Sequence, residues 1–197
     1  MKVYFAGPLF TPYVRQTIAE QAAILRHHGI DVFVPHEQNK RRVPPEAVAR
    51  AIDLGLIRQE DLAGRPGVDL VWDLVRNGFA KAEDLGIPPA TPESVFEVDY
   101  GGLSAANAVV ALLDGTQVDD GTACEIGVFY AEMRTDPSKK GILGYVTDSR
   151  SVRKAEHGYG LNLFVLGVIE ECGWVTHDFS RIVAQLIAWG AELQADR

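Results

Sequence analysis

An open α/β fold with a parallel sheet is expected from three features of the sequence. A strand, a helix and a second strand follow one another within about 33 residues, and a βαβ unit of that size joins two parallel strands by a crossover. The apolar run Ala108-Val109-Val110-Ala111-Leu112-Leu113, closed by Asp114-Gly115, reads as a fully buried strand. It leads through an acidic loop into a helical pattern, and ligands in open α/β sheets bind at that strand edge.

Composition narrows the class. With 197 residues, 47% of them hydrophobic, the chain is expected to be one soluble domain that buries a core without staples. A net charge of −8 and a pI near 5.1 leave no basic surplus to neutralise phosphates. This argues against nucleic acid or an anionic membrane as a partner. Cys124 and Cys172 make neither a disulfide framework nor a zinc spacing. The first residues read as a strand running straight into a loop, not as a signal peptide. No uninterrupted apolar stretch approaches the roughly 18 residues of a membrane span. A cytoplasmic protein is expected.

The first strand is Val3-Tyr4-Phe5-Ala6, broken at Gly7-Pro8. Thr11-Pro12 supplies an N-cap and an N1 proline for a helix whose apolar face is Val14, Ile18, Ala22 and Leu25. Gly29 ends that helix as a C′ residue, and the second strand, residues 30–34, closes at Pro35. His36-Glu37-Gln38-Asn39 is expected to be a loop on the functional edge, with His36 and Gln38 as candidate substrate contacts. The pair His27-His28 complements the helix C-terminus more naturally than it binds metal. From about residue 40 to residue 90 the alternation stops; residues 45–56 and 68–79 look helical, with no clear strand, and a helical insertion is expected. Its basic run, Lys40-Arg41-Arg42, reads as a solvated helix approach.

Thr91-Pro92-Glu93 restarts a helix by the same N-cap and N1 logic, with Val95, Asp99, Leu103 and Ala106 on one face. Asp99 is therefore a carboxylate on an apolar stripe, costly to bury without a partner. It is either functional or a sign that Gly101-Gly102 ends the helix early. After the buried strand come Asp119, Asp120 and Glu125, three carboxylates within seven residues, and then the stripe Ile126, Phe129, Tyr130, Met133 of an amphipathic helix. Thr122-x-x-Glu125 is also a capping-box pattern, which would put Glu125 in the first turn with no chemistry at all. Residues 141–146 form a fourth strand and 147–159 a polar loop. Asn162 opens a helix through Leu163, Phe164, Leu166 and Ile169, ended by Gly173. Trp174-Val175-Thr176 is a possible edge strand. Asp178 caps a last helix with Ile182, Val183, Leu186 and Ile187 facing inward.

Taken together, Val3-Tyr4-Phe5-Ala6-Gly7-Pro8-Leu9-Phe10, Asp99, the Asp119-x-Gly121-Thr122-x-x-Glu125-Ile126-Gly127 run and Asn162-Leu163-Phe164 resemble the nucleoside 2′-deoxyribosyltransferase family. That family also contains 2′-deoxynucleoside 5′-phosphate N-hydrolases. The resemblance covers roughly residues 2–36 and 95–168; the helical segment and the tail beyond Gly173 lie outside it. It implies a flavodoxin-like fold, a doubly wound five-stranded parallel sheet with the helical insertion after the second strand. Glu125 would be the nucleophile at C1′ of the sugar, and Asp99 and Asp119 would contact and protonate the departing base. Tyr4 would position Glu125 or the sugar. Gly7, Pro8, Leu9 and Phe10, with Gly121 in the acidic loop, would lie against the substrate. Asn162 would reach a neighbouring subunit's site in a homodimer or higher homo-oligomer. In some members the terminal carboxylate, here that of Arg197, joins the site.

The chemistry fits those residue types. Cleavage of an N-glycosidic bond passes through an oxocarbenium-like transition state, which a carboxylate below C1′ stabilises or captures. A helix N-terminus favours the ionised form by about 0.3–1 kcal/mol, so Glu125 is expected to be anionic at neutral pH. No metal or cofactor is required. Transfer of 2′-deoxyribose from a 2′-deoxynucleoside to a free nucleobase, as in nucleotide salvage, is the leading expectation. A hydrolase acting on a nucleoside 5′-monophosphate is the alternative; Ser104, Ser149 and Ser151 are available to it but form no convincing phosphate nest. A non-catalytic nucleotide-binding module would gain little from clustered carboxylates. A magnesium-dependent phosphohydrolase using Asp114, Asp119 and Asp120 is a further rival.

Overall fold

The structure, a computed structural model, describes residues 1–148 and 160–195. Most of the polar loop at 147–159, with Ser149 and Ser151, and the terminal Arg197 lie outside the described residues. Five strands form one parallel sheet: β1 (Lys2–Ala6), β2 (Asp31–Phe33), β3 (Ala108–Leu112), β4 (Gly141–Tyr145) and β5 (Trp174–Thr176). Their order is β2-β1-β3-β4-β5, the flavodoxin-like order. The chain forms two compact units. The described residues up to 35 and from 99 onward make the first, and residues 36–98 the second.

In the first unit each helix starts where its sequence supplies a cap. Helix α1 (Pro12–His27) opens with the Thr11 hydroxyl accepting from the Val14 N–H and with proline at its first position. Ile18, Ala22 and Leu25 are its buried face, and the chain leaves it through Gly29 at φ 75°, the left-handed conformation that suits glycine. Three further helices, which we number after those of the second unit, are α6 (Asp120–Met133), α7 (Leu163–Cys172) and α8 (Phe179–Ala195). Asp178 accepts from the Ser180 N–H at the start of α8. Its inward face is Ile182, Val183 and Leu186. Ile187, expected inside, is 46% exposed: two adjacent pairs, 182–183 and 186–187, span a wider arc of a helix than one buried stripe.

The sheet is buried on both faces, and the period of two along a strand divides its side chains between them. Val3 and Phe5 pack with Val110, Leu112 and Leu143 against α1 and α8. Tyr4 and Ala6 point the other way, with Val109, Ala111 and Ile142, into a core closed by Ile126, Phe129, Leu166 and Ile169 of α6 and α7. That parity sends Tyr4 toward α6.

The second unit is helical, with no strand. It holds most of the short helix α2 (Pro35–Gln38), a 3-10 turn (Asn39–Arg42), α3 (Pro45–Asp53), a second 3-10 turn (Gln59–Ala63), α4 (Gly67–Arg76) and the start of α5 (Pro92–Ser104). Residues 36–39, expected to be a loop, continue instead as helical turns, since Pro35 is preset for a first helical position. The unit has its own core of Val43, Ala47, Ala51, Ile57, Val71, Leu85 and Ile87. In the basic run, Lys40 pairs with Asp69 at 3.0 Å and Arg42 donates to the Pro88 carbonyl. Thr91 caps α5 by accepting from the Ser94 N–H. The helix then runs unbroken through Gly101 and Gly102; those glycines do not end it. Val95, expected on the apolar face, is 43% exposed.

The end of α5 is held by a buried cation. Lys139 is 6% exposed. Its Nζ donates to the carbonyls of Ser104 at 2.8 Å and Ala106 at 3.1 Å, pairs with Glu132 of α6 at 3.0 Å, and lies 4.7 Å from the Phe129 ring centroid. One ammonium group thus satisfies carbonyls that the helix end leaves open. Lys139→Met should leave those carbonyls and the Glu132 carboxylate without their donor. Urea unfolding is expected to show a loss of about 3 kcal/mol, the lower end for a broken buried ion pair.

Candidate active site

The Tyr4 hydroxyl donates to Glu125 Oε1 at 2.5 Å, joining residues 121 apart in sequence. Tyr4 is fully buried and stands at the middle of β1, opposite Val109 of β3 and Phe33 of β2. Its ring stacks on that of Phe33, with centroids 5.3 Å apart and planes 14° from parallel. Glu125 lies in the second turn of α6 and is half-buried. Strand centre and helix therefore present one phenol and one carboxylate to each other.

The helix cap is not the one the capping-box pattern suggests. Asp119 is the N-cap of α6: its Oδ2 accepts from the Thr122 N–H at 3.0 Å and the Thr122 hydroxyl at 3.1 Å. Thr122 is buried inside the first turn. Starting the helix at Asp120 moves Glu125 beyond the reach of a capping box, whose acidic residue sits at the third position. Glu125 is free of the helix end and engaged by Tyr4. Asp99, on α5, is half-buried and close enough for its charge to act on both Tyr4 and Glu125.

Burial dominates the electrostatics. It pushes Glu125 up to about 7, the Tyr4 hydrogen bond pulls down, and the charges of Asp99 and Asp119 push up again. Burial likewise lifts Asp99 to about 6. The Tyr4 phenol is driven above its usual range, first by burial and then by the charges of Glu125 and Asp99, so it stays a hydrogen-bond donor. The expectation that a helix N-terminus keeps Glu125 anionic at neutral pH is corrected here. Desolvation and two neighbouring carboxylates outweigh the partial charge of a helix end that Asp119 already caps.

The other expected residues are distributed as follows. Gly7 is buried, and a β-carbon there would stand 3.0 Å from Ile18 Cδ1 and 3.1 Å from Leu112 Cβ. Pro8 and Leu9 are half-buried, the Leu9 carbonyl accepts from Arg15 at 2.6 Å, and Phe10 is 80% exposed. Gly121 is exposed in the first turn of α6. Asn162 is exposed and caps α7, its Oδ1 accepting from the N–H groups of Phe164 and Val165. His36 and Gln38 are half-buried in α2, in the second unit. Asp114 is committed to the neighbouring loop, accepting from the N–H groups of Thr147 and Asp148 and from the Thr147 hydroxyl. Among the described residues no group of three or more His, Cys, Asp or Glu could hold a metal ion. Two residues beside the site, Phe33 and Gly102, carried no signal in the sequence beyond an aromatic in a short strand and a glycine inside a helix.

A raised carboxylate has a stability cost with a definite sign. The folded state holds the Glu125 proton more tightly than the unfolded chain, whose glutamate titrates at the ordinary value near 4.5. Below that value both states are protonated and nothing is lost. Stability then falls as pH rises toward about 7 and the full cost is present above it. Glu125→Gln keeps an acceptor for Tyr4 without the charge. Its melting temperature should match the parent at pH 4.5 and exceed it by several degrees at pH 8, roughly as a 1–2 kcal/mol gain would give.

Comparison with known proteins bears on the fold and the family. A solved structure described as a conserved protein from Enterococcus faecalis V583 superposes with a TM-score of 0.58 at 23% identity, covering 93% of this chain and 95% of that one. It is evidence of fold. No curated protein matches the sequence. Among the described residues no helix is long and apolar enough to cross a membrane. The family model for nucleoside 2-deoxyribosyltransferase matches residues 56–183. That span takes in Asp99, Asp119, Glu125 and Asn162, extends into the helical segment and passes Gly173. The chain belongs to the nucleoside 2-deoxyribosyltransferase family.

Proposed function

We propose that this protein transfers 2′-deoxyribose between nucleobases through a covalent glycosyl-enzyme on Glu125. The observation that carries the reading is the Tyr4–Glu125 hydrogen bond at 2.5 Å, between a buried phenol and a half-buried carboxylate, set among the charges of Asp99 and Asp119 in a chain of this family. Tyr4 holds Oε1, so Oε2 is the oxygen that attacks C1′. As the C1′–Oε2 bond forms, the N-glycosidic bond breaks, its electron pair goes to the base nitrogen, and Asp99 supplies a proton there. A second base attacks C1′, expels Glu125 and returns a proton to Asp99, giving retention overall. Both cap bonds of Asp119 fall on Oδ2, leaving Oδ1 to face the base.

The acid and the nucleophile have clear identities in this reading. An aspartic acid lifted to about 6 holds a proton near neutrality that an ordinary aspartate would have lost. A glutamate lifted to about 7 is a stronger nucleophile when ionised than a solvated one. Productive enzyme has Glu125 ionised and Asp99 protonated, a minority state bounded on both sides by pH. A bell-shaped profile of kcat/KM centred at about pH 6.5 follows from those two values.

Incubation with deoxyinosine, with and without adenine, tests the reading directly. Deoxyadenosine and hypoxanthine should form when adenine is present, and Glu125→Gln should lose nearly all of this turnover. A slow 2-fluoro-arabinosyl nucleoside should leave a sugar mass adduct on the peptide containing Glu125. Near-normal turnover by Glu125→Gln refutes the covalent role. Release of free deoxyribose with no deoxyadenosine would point to hydrolysis instead.

The same reading has Asn162 acting across a subunit boundary in a homo-oligomer, its amide steadying the partner's nucleophile. Loss of a hydrogen bond to a charged group should cost roughly 10- to 150-fold in rate. Mixed and refolded Glu125→Ala and Asn162→Ala chains should then show activity well above the sum of the separate variants. One site in each hybrid would combine an intact Glu125 with an intact Asn162. Activity equal to that sum, with hybrids shown to form, would confine Asn162 to capping α7.

A further inference from the structure

The ring of Tyr4 is gripped from behind. Tyr4 and Phe33 are register partners on adjacent parallel strands, so their side chains leave the sheet on one face, and their rings stack at 5.3 Å. The far end of the Phe33 ring meets α5 at Gly102. A β-carbon there would stand 2.5 Å from Phe33 Cζ and 2.6 Å from each Cε atom. Neighbouring Gly101 faces open space, and Gly102 has no left-handed φ to explain it. Glycine is a poor residue for a helix interior, and what position 102 requires is room for a ring. Asp99 and Gly102 are three residues apart on α5, hence on one helical face. One segment therefore carries both the acid and the floor under the aromatic stack.

We propose that Gly102 and Phe33 are positioning residues for the reaction. Helix α5 backs the Phe33 ring, Phe33 backs the Tyr4 ring, and this stack fixes the Tyr4 hydroxyl on Glu125. The proposal rests on the reading of Glu125 as the reacting carboxylate. The groups that set the charge state of Glu125 are Tyr4 from β1, Asp99 from α5 and Asp119 from the start of α6. Of these, Tyr4 alone lowers its proton affinity, so a loosened stack must make Glu125 easier to protonate.

The test reads Glu125 itself and needs no turnover. Protein labelled with carbon-13 at the glutamate carboxyl is titrated by NMR, with Glu125→Gln identifying the signal. Tyr4→Phe should raise the Glu125 midpoint by about one pH unit, as loss of one charge-assisted hydrogen bond implies. Phe33→Leu and Gly102→Ala should each raise it by part of that amount. Phe33→Leu should add nothing in the Tyr4→Phe background, because its effect passes through the missing hydroxyl. Gly102→Ala should add nothing to Phe33→Leu, since leucine leaves room for the methyl group. Unchanged midpoints in folded Phe33→Leu and Gly102→Ala would overturn the proposal, as would full additivity of Phe33→Leu with Tyr4→Phe. Should Phe33→Leu fail to fold, Gly102→Ala, which gains helix propensity, decides alone. If these shifts appear but deoxyinosine is never turned over, the positioning stands and the proposed reaction falls. If turnover occurs with unchanged midpoints, the reverse holds.

Discussion

Everything distinctive about this site depends on one hydrogen bond, from the Tyr4 phenol to Glu125. A carboxylate pressed against the core loses hydration, and at the carboxyl edge of the sheet it also meets the charges of Asp99 and Asp119. Each of those effects favours the protonated acid. The phenol is the one opposing influence, and it is dependable because burial keeps Tyr4 from giving up its own proton. Glu125 is thereby held where it can exist in either state near neutrality. A carboxylate in water could not retain its proton there, and one buried without the phenol would rarely release it.

That hydrogen bond follows from sheet geometry. β1 lies between β2 and β3, so its side chains are buried on both faces, and parity alone decides which helices each one meets. Val3 and Phe5 meet α1 and α8, while Tyr4 meets the core closed by α6 and α7. A one-residue slip in the pairing of β1 would exchange the two sets. It would replace the phenol opposite Glu125 with an apolar side chain. The register that builds the core is therefore the register that builds the site.

Much of this was legible in the sequence, and the illegible parts share a cause. The five strands, the Thr11, Asn162 and Asp178 caps and the acidic constellation are local signals, carried by residue type and spacing. They survive into the fold with boundaries moved by a residue or so. The cap of α6 is ambiguous in the sequence because Asp119 and Thr122 both offer a capping oxygen within four positions, and only packing decides. Thr122 is buried and Asp119 is not. Gly101-Gly102 leaves the end of α5 open in the sequence because a glycine tolerated for packing and one that breaks a helix are identical there. The difference lies in Phe33, some 70 positions away. The ionisation state of Glu125 is illegible for the same reason. A helix terminus can be read from a motif, whereas the desolvation that outweighs it is a property of the assembled core.

The contrast among the carboxylates shows where function enters. Asp136 and Asp178 accept from Ser138 and Ser180 and are shifted down by those hydrogen bonds, as suits groups that cap turns and helices. Asp99 and Glu125 are shifted up by burial. A chain with a charge of −8 has acidic residues in abundance, and these two are set apart by their burial. The exceptions stand on α5 and α6, the two helices that Lys139 ties together through Ser104, Ala106 and Glu132. Buried carboxylates oppose folding at neutral pH, so they persist only where the surrounding structure over-determines their position. The lysine clamp, the aromatic stack and the Asp119 cap supply that excess of constraint. Tying α5 to α6, and both through Phe33 and Glu125 to Tyr4 of β1, is what lets the core carry acids it would otherwise expel.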